Sequence, residues 1–423
     1  VQSVIDFVRE IPLTGTAAGV IYVVLLVLGA DVVLWAGWKR WHRTGLTLAV
    51  ALAAVSAAWF ILRHWDIPLY LFAAGLVSVL ALVGVAVLPR LRVLLALVAV
   101  VSAVSTAGLA NMEYGTYPTV ASLDPQPVAP EMTLDQVKAA SATDGAHGAL
   151  VTFPVSSAVS GFTSRDATAY LPPAYFTSNA TLPVIVLLHG NPGGPEQWFG
   201  SGEAAQTADR FQAANGGVSP IVIAVDATGS ENANPICANS SVATVMTYLT
   251  TDVPNTIKAD FRVDADQKHW TVAGLSYGGT CTLQIATTHP SAFGSVIDLS
   301  GEAEPTIGTH AATVEKFFGG DESKYQAQNP ASLLTAHSYK DSGLAAVFIA
   351  GTADEHAKSA LTDLSAKARA AGIPAWYGTL EGGHSFDVWR PGLQRAFAWA
   401  ARRGGLTVTT DPFDGLKDSD VTL

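Results

Sequence analysis

Residues 17–110 carry almost no charge and are rich in Leu, Val and Ala, and no other feature restricts the fold of this chain so strongly. The stretch divides into four apolar runs, 17–38, 45–62, 67–88 and 91–110, each near the roughly 20 residues that a membrane-spanning helix needs. Four transmembrane helices are therefore expected. Lys39, Arg40 and Arg43 sit in the first connector, Arg63 beside Asp66 in the second and Arg90 with Arg92 in the third, while 111–117 has no basic residue. Basic connectors stay in the cytoplasm, so the first and third are expected there, with the N-terminus and everything after Ala110 on the outer face. A cleaved signal peptide accounts for one apolar run, not four. Trp35, Trp38, Trp41, Trp59 and Trp65 fall near the expected helix ends, where an indole suits the interface. Asp31 is the single acidic residue inside an expected span; its place about two turns before Lys39 and Arg40 suits a paired or snorkelled carboxylate better than transport.

The remaining residues read differently. A chain of 423 residues has room for one large catalytic domain plus an accessory segment, and its mean hydropathy of +0.31 comes from the apolar stretch. Residues 111–148, with Pro118, Pro125, Pro127 and Pro130 and a short helical pattern at 134–140, read as an extracytoplasmic linker. Over 149–404, apolar runs at 149–154, 167–171, 184–188, 221–225, 270–273, 296–299, 346–349 and 375–378 alternate with helical patterns, which predicts an α/β sheet with its later strands parallel. Residues 405–423 form an acidic tail, expected to be mobile. The net charge of −11, without a basic cluster beyond the membrane-flanking loops, argues against nucleic acid as a partner.

Gly274-Leu275-Ser276-Tyr277-Gly278 lies between a strand-like run and a helical pattern, the context of a nucleophile elbow. The flanking glycines, with Gly279, let strand and helix approach while the hydroxyl of Ser276 projects above the sheet. A serine hydroxyl needs a base, which in such a fold follows the acid in chain order. His337 precedes the penultimate strand and His356 is too near Asp354, whereas His384 sits in Gly382-Gly383-His384-Ser385-Phe386 after the last strand. His384 is the expected base. Asp354, at the end of the run 346–349 and of Gly351-Thr352-Ala353-Asp354, is the expected acid, with Glu355 as fallback and helix N-capping as its alternative duty. Two backbone donors complete an oxyanion hole: Tyr277, next to the serine, and Asn191 in His189-Gly190-Asn191-Pro192-Gly193-Gly194, because Pro192 has no N–H.

Together with Leu187-Leu188-His189-Gly190, Arg262-Val263-Asp264 and His384-Ser385-Phe386 with Trp389 beyond, these motifs make residues 150–404 similar to the esterase family of α/β-hydrolases. That family includes S-formylglutathione hydrolases, feruloyl esterases and mycolyltransferases. A membrane-embedded N-terminus joined to such a domain resembles actinobacterial membrane-anchored esterases. The resemblance implies the α/β-hydrolase fold, an acyl-ester substrate, Ser276, Asp354 and His384 as the triad, and Asn191 and Tyr277 at the oxyanion hole. The chain departs from mycolyltransferases in its apolar anchor and in offering Asp354 where they use a glutamate.

Cys237 and Cys281 are the only cysteines, and in an oxidising compartment a disulfide is the economical reading. The long interval 301–342 suggests a small cap, with Glu302, His310, Phe317, Phe318 and Tyr325 as candidate lining residues. No cluster has zinc spacing and no glycine-rich loop suits a nucleotide, so no cofactor and no metal are expected. The sequence thus points to a serine-dependent ester hydrolase acting outside the cytoplasm, beside membrane lipid, with lipid and glycolipid esters among its candidate substrates. An acyltransferase passing the acyl group to a sugar or lipid alcohol is one alternative, and a non-catalytic lipid-binding or transport partner is another.

Overall fold

The computed structural model describes residues 2–38, 41–62, 67–140 and 147–413. The chain divides into two compact units, Val1–Pro125 and Gln126–Leu423.

The first unit is helical, with long helices Thr16–Trp38, Trp41–Leu62, Leu69–Val87 and Arg92–Tyr114. Among the described residues three helices are long and apolar enough to cross a membrane: Thr16–Trp38, Leu69–Val87 and Pro89–Tyr114, the last including a 3-10 turn. Against the four spans expected, three candidates are therefore found among the described residues. The remaining expected run, 45–62, falls in Trp41–Leu62, whose apolar part among the described residues is Leu48–Leu62. Small residues let the helices approach: a Cβ on Gly108 would lie 2.4 Å from the Tyr22 ring. Buried Ser102 donates to the Val98 carbonyl at 2.7 Å and accepts from Ser78 at 2.9 Å, so both hydroxyls are satisfied away from water. Val20, Val24, Val27 and Leu28, and on the last helix Val93, Leu97, Val100 and Val104, stay exposed, an apolar surface that allows membrane anchoring. Asp31 is exposed; Lys39, Arg40, Arg63, Trp65 and Asp66 lie outside the described residues, as do the side chains of Trp41 and Arg43.

The second unit is built on one eight-stranded sheet: β1 Ala149–Phe153, β2 Ala167–Leu171, β3 Val184–Leu188, β4 Ile221–Val225, β5 Thr271–Leu275, β6 Ser295–Leu299, β7 Ala345–Gly351 and β8 Ala375–Leu380. Its order is β1-β2-β4-β3-β5-β6-β7-β8, antiparallel at β1 and β2 and parallel from there on. Each strand falls on an apolar run of the sequence, within a residue or two of its ends. β3 to β7 are buried along their whole length, since helices cover both faces. Alternate residues serve opposite faces: Val184, Val186 and Leu188 join the core under Tyr277–Thr288 and Glu355–Ala370, while Ile185 and Leu187 meet Ala204–Ala214 and Phe386–Arg403.

Both ends of this unit are tied to the sheet. Met132 donates to the Leu150 carbonyl at 2.8 Å, and Leu134–Ala139 is held by a Thr133–Gln136 capping box. Beyond the last helix, Phe413 is buried against Trp376 and Trp399, and Arg402 pairs with Asp411 at 2.7 Å. The beginning of the expected tail is therefore docked, and residues 414–423 lie outside the described ones.

Candidate active site

Strand order turns back at β3, which has β4 on one side and β5 on the other, and loops leaving such a point diverge to open a crevice above the strand ends. Ser276 stands there, at the tip of β5. Its backbone is left-handed, φ +53° with ψ −118°, a region a non-glycine residue enters only under constraint. The constraint is visible: the Ser276 amide donates to the Leu299 carbonyl at 2.8 Å while Tyr277–Thr288 begins at the next residue. A Cβ on Gly274 would meet the Gly278 carbonyl at 2.2 Å, and one on Gly278 the Leu188 oxygen at 2.2 Å, so the turn admits only glycine at both places.

His384, in the loop after β8, brings Nε2 to 2.9 Å from Ser276 Oγ. Its Nδ1 lies 2.6 Å from Asp354 Oδ2, and Trp389 packs edge-on against the ring at 5.0 Å. Asp354 follows β7 and is nearly buried; its Oδ1 accepts from the Ala357 amide at 3.1 Å, so it also caps Glu355–Ala370. Burial pushes the carboxyl up, but the bond and charge of His384 and the Ala357 amide outweigh it and hold Asp354 below the usual carboxylate range. An ionised Asp354 can only accept, which makes His384 Nδ1 a donor and leaves Nε2 of the neutral ring as the acceptor for the serine hydroxyl. Glu355 is exposed and pairs with Lys358 at 2.6 Å, and His337 and His356 are exposed.

Ser276, Tyr277 and Asn191 line one cleft of about 50 Å³, together with Glu302, Pro305 and Thr306. As the first residue of its helix, Tyr277 has an N–H with no intrahelical acceptor, at the positive end of the helix dipole. The Asn191 N–H has no acceptor among the described residues. The loop carrying it is held on several sides: Gly190 donates to Gln197 Oε1 at 3.0 Å, Gly193 to the Glu231 carbonyl at 2.9 Å, and the Asn191 side chain to the Ala233 carbonyl.

An ionic group whose Arg165 and Asp226 no sequence pattern singled out stands behind this loop. Arg165 Nη2 bonds to Asp226 Oδ1 at 2.8 Å and to the Gly193 carbonyl at 2.8 Å, and His189 Nε2 lies 3.1 Å from the same carboxylate. Burial alone would raise Asp226, yet the bonds from His189, Arg165 and Thr228 hold it far below the usual range, so the hub is ionic and fixed. Its only sequence signal was the place of His189 and Asp226 just past β3 and β4.

The side chain of Tyr277 was also missed. Buried, and with its phenol pushed well above its ordinary pKa, it donates to the Ala227 carbonyl and accepts from the Cys237 amide, both at 3.0 Å. Cys237 and Cys281 are paired, Cα to Cα 5.5 Å, so the loop 226–237 is held to the elbow helix twice. Of the cap residues, Glu302 lines the cleft while Phe317 and Phe318 pack against Ile236 and Ala238. Tyr325 is buried, and His310 lies between Glu304 and Glu322 at 3.2 and 3.1 Å. Asp298 of β6, behind the elbow, is fully buried; burial pushes it up to about 7, against one hydrogen bond from the Gly301 amide at 2.8 Å.

A mostly parallel eight-stranded sheet with a glycine-flanked serine on a strained strand-to-helix turn defines the α/β-hydrolases, a superfamily of enzymes. Within it, the chain belongs to the family described as "Putative esterase", whose model matches residues 162–400. It is 45% identical over 397 residues to an uncharacterized protein of Corynebacterium glutamicum, covering 88% of this chain and 91% of that one. Its fold is shared with a ferulic acid esterase (TM-score 0.51, 20% identity, 61% of this chain and 99% of that one). An S-formylglutathione hydrolase from Agrobacterium tumefaciens shares it too (TM-score 0.50, 18% identity, 60% and 95%).

Proposed function

We propose that the chain is a serine-dependent carboxylic ester hydrolase in which Ser276 attacks the ester carbonyl. His384 takes the hydroxyl proton through Nε2 and returns it to the leaving alkoxide, and Asp354 holds the ring in the required tautomer. The Asn191 and Tyr277 amides receive the charge that develops on the carbonyl oxygen. Collapse of the tetrahedral intermediate leaves an acyl group on Ser276 Oγ, which water removes by the same steps in reverse order of roles; an alcohol in place of water gives acyl transfer. The observation that carries the reading is the continuous chain from Asp354 through His384 to Ser276, at 2.6 and 2.9 Å, beside a cleft with two unengaged N–H groups. Paired cysteines, which suit an oxidising compartment, support a catalytic unit outside the cytoplasm, held to the membrane by the N-terminal helices. Hydrolysis of 4-nitrophenyl esters, short and long, by the purified full chain is the test. Turnover that falls at least a thousandfold in Ser276→Ala supports the reading, and turnover unchanged in that variant refutes it.

A further inference from the structure

Beside the serine cleft lies a second, larger cleft of about 640 Å³, of the size that holds a small polar ligand. The two share a wall: Asn234 lines both, and Ala233, on the far side of that wall, takes the hydrogen bond of the Asn191 side chain. The wall does not yield easily, because the Tyr277 hydroxyl and the Cys237–Cys281 pair fix it to the elbow helix.

Its chemistry departs from that of the chain as a whole. The protein carries 35 acidic against 24 basic residues, yet among the described residues lining this cleft the one charged side chain is Lys316. The Lys316 ammonium lies 5.1 Å from the centre of the Phe317 ring and has no carboxylate partner among the described residues. Asn234 has its amide oxygen taken by the Ile236 amide at 3.0 Å, which leaves its NH2 group as a donor, and Asn232 makes no hydrogen bond among the described residues. By contrast, the Thr228, Ser241 and Thr244 hydroxyls donate to the Ser230, Phe317 and Ser160 carbonyls. What the cleft offers a ligand is thus one positive charge, the NH2 groups of Asn232 and Asn234 and the Ser240 hydroxyl, beside the Asn232 amide oxygen, and the charge favours a ligand that is anionic and rich in acceptor oxygens.

We infer that this cleft binds a phosphate group carried by the ester substrate, with Lys316, Asn232 and Asn234 as its donors. The inference rests on the esterase reading, and it makes Lys316 a specificity determinant rather than a catalytic residue. A phosphorylated alcohol in solution and a phospholipid headgroup present the same chemistry to these donors.

The test measures inhibition of 4-nitrophenyl acetate hydrolysis by glycerol 3-phosphate and by glycerol, in the full chain and in Lys316→Ala, with Lys340→Ala as an exposed control outside the cleft. Glycerol 3-phosphate is expected to inhibit at least tenfold more strongly than glycerol in the wild type and in Lys340→Ala. In Lys316→Ala that ratio is expected to fall about tenfold, the effect of losing a charge-assisted bond. Ratios are compared within each variant, so a change in overall activity does not enter. Inhibition by phosphatidylglycerol vesicles as well points to a headgroup, and by glycerol 3-phosphate alone to a soluble substrate. Equal inhibition by glycerol and its phosphate in the wild type, or a ratio unaltered in Lys316→Ala, overturns the inference while leaving the turnover itself as evidence for the esterase. If turnover is absent, calorimetric binding of glycerol 3-phosphate to the same three proteins decides the phosphate site by itself.

Discussion

The proposed relay separates two neighbouring carboxylates. Asp354 is enclosed, held below its usual pKa and in contact with His384, whereas Glu355 points to solvent against Lys358. Asp354→Asn is expected to lower kcat about a thousandfold, by presenting the wrong tautomer to the serine, and Glu355→Gln to leave it unchanged; steady-state kinetics of both variants check this. Asp298 gives a pH effect on stability. Its folded pKa is raised to about 7, so across the interval from the ordinary carboxylate value up to about 7 the folded state binds more protons than the unfolded one. Stability from this group is present below that interval and is lost as pH rises through it. Asp298→Asn is expected to flatten the fall in stability between about pH 4 and 7, read from urea unfolding at several pH values. That Ser276, Asp354 and His384 gather was legible in the sequence because each follows a strand run, and chain order suggested the roles proposed for them. Arg165 and Asp226 were not, because the two lie far apart in sequence and only the fold makes them neighbours.

At the scale of elements, the loop 226–237 decides the shape of both clefts, and the pair that anchors it closes 44 residues of chain. Loop-closure entropy for that length is about 4 kcal/mol, so reduction is expected to lower the Tm on the order of 10 °C, measured by calorimetry with and without reductant. All eight strands were legible: β3 to β7, covered on both faces, appear as unbroken apolar runs, and the partly exposed β1, β2 and β8 as short apolar runs between turn residues. The second apolar run, 45–62, is the shortest of the four expected, and among the described residues it narrows to Leu48–Leu62, which leaves three candidates. The docking of residues 405–413 was hidden for the opposite reason, because it depends on one aromatic, Phe413, meeting Trp376 and Trp399 from elsewhere in the chain.

For the whole molecule, an apolar helical unit is joined to an esterase-family enzyme unit, and the cysteine pair of the latter supports a place outside the cytoplasm. With the enzyme unit outside, protease added to intact cells is expected to remove it from the membrane fraction, whereas an inward-facing unit is degraded only after lysis. The relative from Corynebacterium glutamicum covers 91% of its own length in the match, which includes more than the enzyme unit, so the two units occur together there as well. The central claim concerns one atom, Ser276 Oγ. Incubating the purified full chain with a fluorophosphonate probe and mapping the adduct by mass spectrometry tests it directly. A single adduct on Ser276 is expected, absent in Ser276→Ala and strongly slowed in His384→Ala; labelling that persists in Ser276→Ala contradicts Ser276 as the nucleophile.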